Sequence, residues 1–285
     1  MIIFDGKKLA AEEERILKEK VGRLKAKGFV PKMVSILIGE NPESELYLGL
    51  KKKAAERVGI KMEIARFSEK VRSDEVIKYI KGLNKDPKVH GIVIQLPLPK
   101  KFRISNFEFR ILGSIDPRKD IDCLTPENLG LLMMGRPRFL PATVKSVIKI
   151  IHCSKFIIRG SNICIVGASE IVGKPLAMVL SDAGATVSLC RSTTKNLKEF
   201  TKKADILISA TGVPGLIRKE MVKKGAGVID VGITKLKIKN EKLKIIGDVE
   251  GSVREVAGFL TPVPGGVGPV TVVSLLENLL EGLAV

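Results

Sequence analysis

The chain has 285 residues, of which 45% are apolar and 28% charged, and its formal net charge at pH 7 is +18. This composition is typical of globular proteins, and the length is sufficient for two domains that each bury a core. No segment approaches the ~18 uninterrupted apolar residues of a membrane span, so we expect no membrane partner. The N-terminal sequence MIIFDGKKLAAEEER becomes charged too early for a signal peptide, and we therefore expect a cytoplasmic protein.

Predicted helices and strands alternate through the first part of the chain. In chain order they are helix 7–27, strand 34–38, helix 41–58, strand 61–67, helix 73–84 and strand 91–97. This alternation favours a largely parallel sheet. Residues 99–142 are rich in Pro, Gly and charge and show few clear elements, and an ordered loop of this length is usually functional.

The second part of the chain shows a more regular pattern. An apolar helical segment from Val144 to Ile151 comes first. It is followed by strands at 163–166, 186–190, 205–209 and 227–231, and a Pro- and Gly-rich loop at 261–269 then leads into a last apolar helix. This succession is typical of a dinucleotide-binding fold. We therefore predict an α/β protein with two domains: an N-terminal α/β substrate domain, 1–141, joined by a returning C-terminal helix at about 270–285, and a Rossmann-type domain, 142–269.

The cysteines and histidines do not form a recognisable metal or disulfide pattern. Four cysteines and two histidines are scattered without metal-ligand spacing, so we expect neither a disulfide framework nor a bound metal. Because histidine is so rare, acid–base chemistry near neutral pH is expected to use lysine or a carboxylate.

Two segments of the second domain are candidates for nucleotide binding. The turn Gly167–Gly173 follows a strand and opens a helix, where small residues allow backbone amides to approach a pyrophosphate. The next strand ends in Cys190-Arg191-Ser192 without an acid, which suits a 2′-phosphate and favours NADP over NAD. The alternatives are an ordinary tight turn at 167–173 and a solvated turn with an incidental arginine.

In the first domain, one lysine of a basic run differs from its neighbours. Tyr47 and Lys51 are four residues apart on a predicted helix and share a face, whereas Lys52 and Lys53 are rotated away by about 100° and 200°. Gln95 lies in a buried strand, and an acidic segment containing Asp120 lies in the long loop. Taken singly, each of these residues has an ordinary structural explanation.

Together, five motifs resemble the bifunctional methylenetetrahydrofolate dehydrogenase/methenyltetrahydrofolate cyclohydrolase family over nearly the whole chain. The motifs are Tyr47-x-x-x-Lys51, Gly91-Ile-Val-Ile-Gln-Leu-Pro-Leu-Pro99, Pro117-Arg-Lys-Asp-Ile-Asp122, Gly167-x-Ser-x-x-Val-Gly-x-Pro175 and Thr261-Pro-Val-Pro-Gly-Gly-Val-Gly-Pro269. The resemblance implies NADP-dependent oxidation of 5,10-methylenetetrahydrofolate and hydrolysis of the 5,10-methenyl product to 10-formyltetrahydrofolate. It also implies a homodimer formed through the nucleotide domain, with folate and NADP meeting in the cleft between domains.

The resemblance also implies roles for individual residues. Lys51 is expected to be the central catalytic residue, with Gln95 adjusting its protonation, and Asp120 is expected to bind the pterin. Tyr47 is expected to stack on the folate, and the pocket is expected to include Ser44 and the loop Pro264-Gly265-Gly266. The positions that match the family's NADP contacts are Gly167, Ala168, Ser169, Ser192 and Ile233.

The sequence departs from the family pattern at several places. Cys123 replaces a glycine after the Lys-Asp-x-Asp motif, and Pro141-Ala-Thr-Val-Lys-Ser replaces Pro-Cys-Thr-Pro-x-Gly. Ala168 stands where many members carry Arg, and Arg191 stands where many carry His. The last two changes are consistent with a 2′-phosphate held by Arg191.

Two alternative hypotheses remain at this point. The first is a dehydrogenase without cyclohydrolase activity, which the presence of Lys51, Gln95 and Asp120 disfavours. The second is a nucleic-acid-binding protein that uses the net charge of +18. The lysines are spread along the chain and only twelve Phe and Tyr occur, so we expect no nucleic-acid partner.

Overall fold

A computed structural model describes residues 1–104, 107–236 and 244–283. The chain divides into two compact units, which we name by their main sheets. The three-strand unit comprises Ala11–Ala142 with Val272–Val285, and the six-strand unit comprises Met1–Ala10 with Thr143–Thr271. None of the described helices combines the length and the apolar character needed to cross a membrane.

The three-strand unit contains a parallel sheet with helices between its strands. Its early elements are α1 (Gly6–Ala26), β2 (Lys32–Ile38), α2 (Pro42–Val58), β3 (Lys61–Phe67), α3 (Ser73–Lys85) and β4 (Gly91–Ile94), and the sheet order is β3-β2-β4. Val34, Ile36 and Ile38 alternate along β2 and enter one buried cluster with Ile92 and Ile94 of β4. This alternation is what the two-residue period of a strand dictates.

The long segment after β4 contains more structure than the sequence indicated. It forms the short helices α4 (Lys100–Ile104), α5 (Phe107–Leu112) and α6 (Pro126–Met133). The hydroxyl of Thr125 accepts the backbone N–H of Asn128 and Pro126 occupies the first turn, which together begin α6. The expectation of few elements in this segment was therefore wrong, because such short helices depend on their caps and on tertiary packing.

The six-strand unit is built on a sheet in which every neighbouring pair of strands is parallel. The strand order is β1-β11-β8-β7-β5-β6. The elements are β1 (Ile2–Ile3), α7 (Ala142–Cys153), β5 (Asn162–Val166), α8 (Gly173–Asp182), β6 (Thr186–Cys190), α9 (Leu197–Thr201), β7 (Ile206–Ser209), β8 (Gly227–Asp230), β9 (Thr234–Leu236), β10 (Lys244–Ile246) and β11 (Phe259–Leu260). The last helix, α10 (Val267–Gly282), begins in this unit and continues into the three-strand unit. β9 and β10 form a separate antiparallel pair.

Both faces of this sheet are buried, as expected for a parallel sheet covered by helices. Ile163, Ile165 and Ile208 enter one cluster, and Cys164 and Leu207 enter the cluster on the opposite face. The predicted α/β class with a dinucleotide-type sheet is thereby confirmed.

The N-terminal residues join the sheet of the second domain. The sequence predicts residues 1–141 as one domain, but Met1–Ala10 belong to the six-strand unit. Ile2 and Ile3 pair with Phe259 and Leu260, and the Phe4 ring packs on the Phe259 ring at 5.7 Å. Two strand residues are too few to give a local sequence signal, so only the long-range pairing reveals their place.

Candidate active site

Helix α2 places one buried lysine among exposed ones. Lys51 is only 9% exposed, whereas Lys52 and Lys53 are exposed to solvent. The Lys51 Nζ donates to Gln95 Oε1 at 3.2 Å, and Gln95 Nε2 donates to the carbonyl of Leu96 at 3.0 Å. The second bond fixes the orientation of the Gln95 amide, so its oxygen faces Lys51.

Burial and a neighbouring acid control the protonation of Lys51. Burial lowers the pKa of Lys51 below its ordinary value of 10.5, and the Asp122 carboxylate partly opposes this change. Burial raises the pKa of Asp122, while the charge of Lys51 lowers it and the charge of Asp120 raises it further. The structure thus brings together a lysine and an acid in a site where both charged forms are disfavoured.

Asp120 has a different environment from the one expected. It is buried, and its carboxylate accepts the backbone N–H of Leu124 at 3.1 Å and that of Thr125 at 2.7 Å. The amide of Asn128 donates to the same carboxylate at 2.9 Å. Asp120 therefore binds its own loop and the start of α6, which differs from the expectation that its carboxylate is directed to the substrate. The acid whose charge acts on Lys51 is Asp122, which the motif contains but sequence reasoning did not select.

The loop that carries Asp122 is held from several sides. The Lys119 Nζ donates to the carbonyls of Leu83, Asn84 and Asp86 at 2.8–2.9 Å, which satisfies the end of α3. Asn278 of α10 donates to the carbonyl of Ile121 at 2.8 Å. These bonds fix the backbone on both sides of Asp120 and so determine where Asp122 lies.

Cys123 is an unusual residue in this loop. Its φ is 58°, a left-handed conformation that glycine adopts more easily than cysteine. Its thiol is buried and donates to the carbonyl of Phe139 at 3.2 Å, and burial raises the pKa of this thiol. The substitution of the family's glycine therefore preserves the backbone conformation, with some strain, directly after Asp122.

Two further predicted folate residues lie on α2. Tyr47 is partly buried one turn before Lys51. Ser44 is buried in the first turn, where its N–H donates to Asn41 Oδ1 at 3.2 Å. The Ser44 hydroxyl is buried and has no hydrogen-bond partner among the described residues.

The predicted nucleotide turn lies between β5 and α8 and has the close packing that glycines permit. A Cβ on Gly173 would overlap the carbonyl oxygen of Gly167, and a Cβ on Gly167 would overlap that of Ala210. The Ser169 hydroxyl accepts the N–H of Val172 at 3.2 Å and lies 3.4 Å from that of Gly173, at the start of α8. Ala168 and Ser169 give the turn small side chains directly after Gly167, and a helix N-terminus is a common position for a bound phosphate.

The end of β6 presents a basic turn. The N–H of Arg191 donates to the Thr194 hydroxyl at 2.9 Å, and the N–H of Thr194 donates back to the Arg191 carbonyl at 2.9 Å. Arg191 and Ser192 are exposed, and within the described residues no carboxylate pairs with Arg191. The Gly167 N–H donates to the carbonyl of Cys190 at 2.9 Å, so the basic turn and the glycine turn are adjacent.

The remaining predicted residues lie elsewhere in the six-strand unit. Ile233 follows β8 and is partly buried. Pro264 lines a cavity of about 690 Å³ together with Asp230 and Thr261, and Gly265 and Gly266 continue the same loop into α10.

Comparisons with known proteins agree across the whole chain. The catalytic-domain profile of the tetrahydrofolate dehydrogenase/cyclohydrolase family matches residues 4–122, and its NAD(P)-binding-domain profile matches residues 141–284. The bifunctional protein FolD of Exiguobacterium sibiricum is 43% identical over 98% of each chain. The crystal structure of the bifunctional FolD enzyme from Campylobacter jejuni has 42% identity and a TM-score of 0.92, covering 98% of this chain and 97% of that one. The Trypanosoma brucei FolD structure, complexed with NADP cofactor and inhibitor, has 35% identity and a TM-score of 0.95, covering 99% and 97%.

Proposed function

This chain belongs to the tetrahydrofolate dehydrogenase/cyclohydrolase family, and we propose that it catalyses both reactions of that family. It oxidises 5,10-methylenetetrahydrofolate to 5,10-methenyltetrahydrofolate, with NADP⁺ as the hydride acceptor. It then hydrolyses the methenyl product to 10-formyltetrahydrofolate. The observation that carries the proposal is the buried Lys51, which is bonded to Gln95 and lies within the field of Asp122.

The hydrolysis needs a base at neutral pH, and Lys51 is suited to this role. An ordinary lysine is almost entirely protonated at pH 7, but burial lowers the pKa of Lys51 and increases its free-base fraction. The neutral Nζ takes a proton from the water that attacks the methenyl carbon. As the ring opens, the new hydroxyl loses its proton to become the formyl C=O, the carbon–N5 bond breaks and N5 takes the proton held by Nζ, so the formyl group stays on N10 and one proton is released overall. Gln95 holds Nζ in place through its 3.2 Å hydrogen bond.

The substrate itself reinforces this arrangement. The methenyl group carries a positive charge, and a cation near Lys51 disfavours the protonated amine further. Asp122 supplies the opposite charge in the site and can accept hydrogen bonds from pterin N–H groups, which are strong when the acceptor is ionised. We therefore assign to Asp122 the pterin-binding role first expected for Asp120. Tyr47 offers a ring for stacking, and the Ser44 hydroxyl, unpartnered within the described part of the chain, offers a further polar contact.

NADP fits the residues of the six-strand unit. The closely packed turn from Gly167 to Gly173, with Ala168 and Ser169, accepts the pyrophosphate at the start of α8. Arg191 and Ser192 bind the 2′-phosphate of NADP. The Arg191 guanidinium pairs with no described carboxylate, so it can pair with the doubly charged phosphate. Ile233 contacts the cofactor beyond β8. In support, the NADP complex of the Trypanosoma brucei relative has a TM-score of 0.95 to this chain.

We propose further features from the same family relationship. The loop Pro264-Gly265-Gly266 borders the folate. The product of the enzyme serves one-carbon metabolism and purine biosynthesis.

The protein is proposed to act in the cytoplasm as a homodimer formed through the six-strand unit. β6 is one of the two outer strands of the described sheet, which leaves one row of its backbone groups for another chain. Sedimentation at several protein concentrations measures the oligomeric state, and a monomer throughout would contradict the proposed dimer.

The lysine run provides a matched test of the catalytic assignment. Lys51→Met removes the base, and we expect cyclohydrolase activity to fall by ~10²–10⁴-fold. Lys52→Met removes an exposed charge one residue away and should keep at least about half of the activity, because surface substitutions have small effects. The loss of methenyltetrahydrofolate absorbance measures the reaction. Equal activities in the two variants would contradict the role of Lys51. A wild-type protein that oxidises the methylene substrate but does not hydrolyse the methenyl product would instead be a dehydrogenase alone.

A further inference from the structure

Two aspartates are buried at the carboxyl edge of the six-strand sheet and have no role in the chemistry assigned above. Asp230 is the last residue of β8 and is 3% exposed, and Asp248 follows β10 and is 0% exposed. Burying a carboxylate is costly unless hydrogen-bond donors surround it. The donors that each aspartate receives therefore indicate what it holds.

Asp248 holds the end of β7. Its Oδ2 accepts the Ser209 hydroxyl at 2.8 Å, the Thr211 N–H at 2.7 Å and the Thr211 hydroxyl at 2.8 Å. Its Oδ1 is buried without a hydrogen-bond partner among the described residues and packs against Gly232, where a Cβ would overlap it. The side chain thus connects the loop after β7 with the loop after β8.

Asp230 holds the end of β8 to two other segments. Its Oδ1 accepts the N–H of Gly232 at 3.0 Å and that of Asp248 at 3.1 Å, and its Oδ2 accepts the N–H of Val249 at 3.0 Å. Its own N–H donates to the Thr261 hydroxyl, just beyond β11, at 2.8 Å. The two carboxylates therefore join the ends of β7 and β8 to the segment after β10, and the backbone N–H of Asp230 adds the end of β11.

This edge of the sheet is where a dinucleotide binds in folds of this kind. Thr211 lies in the loop after β7, and Gly232 directly precedes Ile233, a proposed cofactor contact. We infer that Asp230 and Asp248 are positioning residues that fix the loops after β7 and β8 in the conformation that binds NADP. The inference rests on the proposed NADP-dependent function. Neither aspartate is assigned a contact with the cofactor, and each acts through the residues it binds.

The charge state of Asp230 links this positioning to pH. Burial is the larger cause that raises the pKa of Asp230 to about 6, the charge of Asp248 contributes, and the donated N–H groups oppose it. Glu250 and Arg254 line the cavity beside Asp230. Protonation of Asp230 below about pH 6 weakens its acceptance of the Gly232 N–H, so nucleotide affinity should fall there. Removing the charge of Asp248 lowers the pKa of Asp230, which moves this loss to lower pH.

The test compares two carboxylates that act at opposite ends of β7: Asp248, which bonds its carboxyl end, and Asp205, which precedes its amino end. Asp248→Asn acts at the carboxyl end of β7. The control, Asp205→Asn, acts at the amino end, where Asp205 binds Lys223 at 2.6 Å and the Asn162 N–H at 2.9 Å. We expect Asp248→Asn to raise the NADPH dissociation constant about tenfold and to shift its acid limb to lower pH, with unchanged cyclohydrolase activity measured without nucleotide. Asp205→Asn should bind NADPH within about twofold of the wild-type affinity.

A second pair of variants tests the same inference in case the Asp248→Asn protein does not fold. Thr211→Val removes the hydroxyl donor to Asp248 and Thr211→Ser retains it, so only the valine variant should bind NADPH more weakly. Wild-type affinity and an unshifted acid limb in a folded Asp248→Asn protein would overturn the inference. So would equal NADPH affinities of the two Thr211 variants. A failure of the proposed function is distinguishable, because the wild-type protein itself would then neither bind NADPH nor oxidise the folate.

Discussion

The site around Lys51 and the turn between β5 and α8 achieve their proposed functions with different parts of the polypeptide. The first depends on side chains whose protonation is changed by burial and by each other's charge. The second depends on backbone, because glycine and small residues allow main-chain atoms to approach closely. Proton transfer needs a group with a shifted pKa, whereas phosphate binding needs exposed N–H groups at a helix start. Substitutions that remove a charged side chain should therefore impair the site around Lys51, and substitutions that add a side chain to a glycine should impair the turn between β5 and α8.

After Lys51→Met, the largest effect is expected from adding a single methyl group to the turn between β5 and α8. In Gly173→Ala the new Cβ would overlap the carbonyl oxygen of Gly167, so the turn must shift. We expect dehydrogenase activity to fall by about 100-fold through NADP binding, with cyclohydrolase activity unchanged, because small misplacements at a binding site have effects of this size. Gly251→Ala is the control, since nothing lies within 4 Å of the place that its methyl group would occupy. A parallel loss of both activities in Gly173→Ala would contradict the separation of the two regions.

Substitution of the acid beside Lys51 tests the side-chain site. Asp122 raises the pKa of Lys51, so Asp122→Asn should lower that pKa further and move the acid limb of the cyclohydrolase pH profile to lower pH. Loss of a charged hydrogen-bond acceptor should also reduce kcat/KM for the folate by about 10–100-fold. The pH–rate profile and the titration of ¹³Cε-labelled Lys51 by NMR measure the two effects.

Asp120→Asn provides the matched comparison for Asp122→Asn. Asp120 is bonded to three donors of its own loop, so its substitution should lower the free energy of unfolding by about 1–3 kcal/mol, measured in urea. It should affect the titration of Lys51 less than Asp122→Asn does. A normal pH profile in Asp122→Asn together with a folate-binding defect confined to Asp120→Asn would restore the original motif-based assignment.

A smaller effect is expected at the basic turn after β6, where a charged side chain lies next to the backbone of the glycine turn. Arg191→Ala should raise the KM for NADP⁺ about tenfold and leave the KM for NAD⁺ unchanged, since only NADP⁺ carries the 2′-phosphate. Lys202→Ala, at the end of α9, removes the same charge elsewhere on the unit and serves as the control. An equal change for both nucleotides would show that Arg191 does not select the phosphate.

The smallest effect is expected for Cys123→Gly. Cys123→Gly relieves the left-handed backbone but loses a buried thiol and its bond to Phe139, so the free energy of unfolding should change by less than ~1 kcal/mol. Cys123→Val should be at least ~2 kcal/mol less stable, because a β-branched residue rarely adopts this φ. Urea denaturation of the two variants measures the difference, and equal stabilities would contradict backbone strain at this position.

The distinction within the lysine run is accessible from local periodicity. A helix turns by 100° per residue, and this rotation alone separates Lys51 from Lys52 and Lys53. The alternation of strands and helices likewise predicts the parallel sheets, because strand and helix periods are properties of short segments. In contrast, the short helices at 100–104 and 107–112 offer too few residues for a clear period.

The sequence by itself determined the α/β class and the place of the glycine turn, since each depends on residues within one or two turns of the chain. It also singled out Lys51, where helical rotation separated the three lysines and the resemblance to the family selected the first of them. The tertiary structure alone decided that β1 joins the six-strand sheet and that Asp122, not Asp120, is the acid whose charge acts on Lys51. These outcomes depend on bonds between distant residues, such as Lys119 with the end of α3 and Asn278 with Ile121. The motif contains both acids as equals, and only the positions of their hydrogen-bond donors distinguish the one that holds the loop from the one that lies beside the lysine.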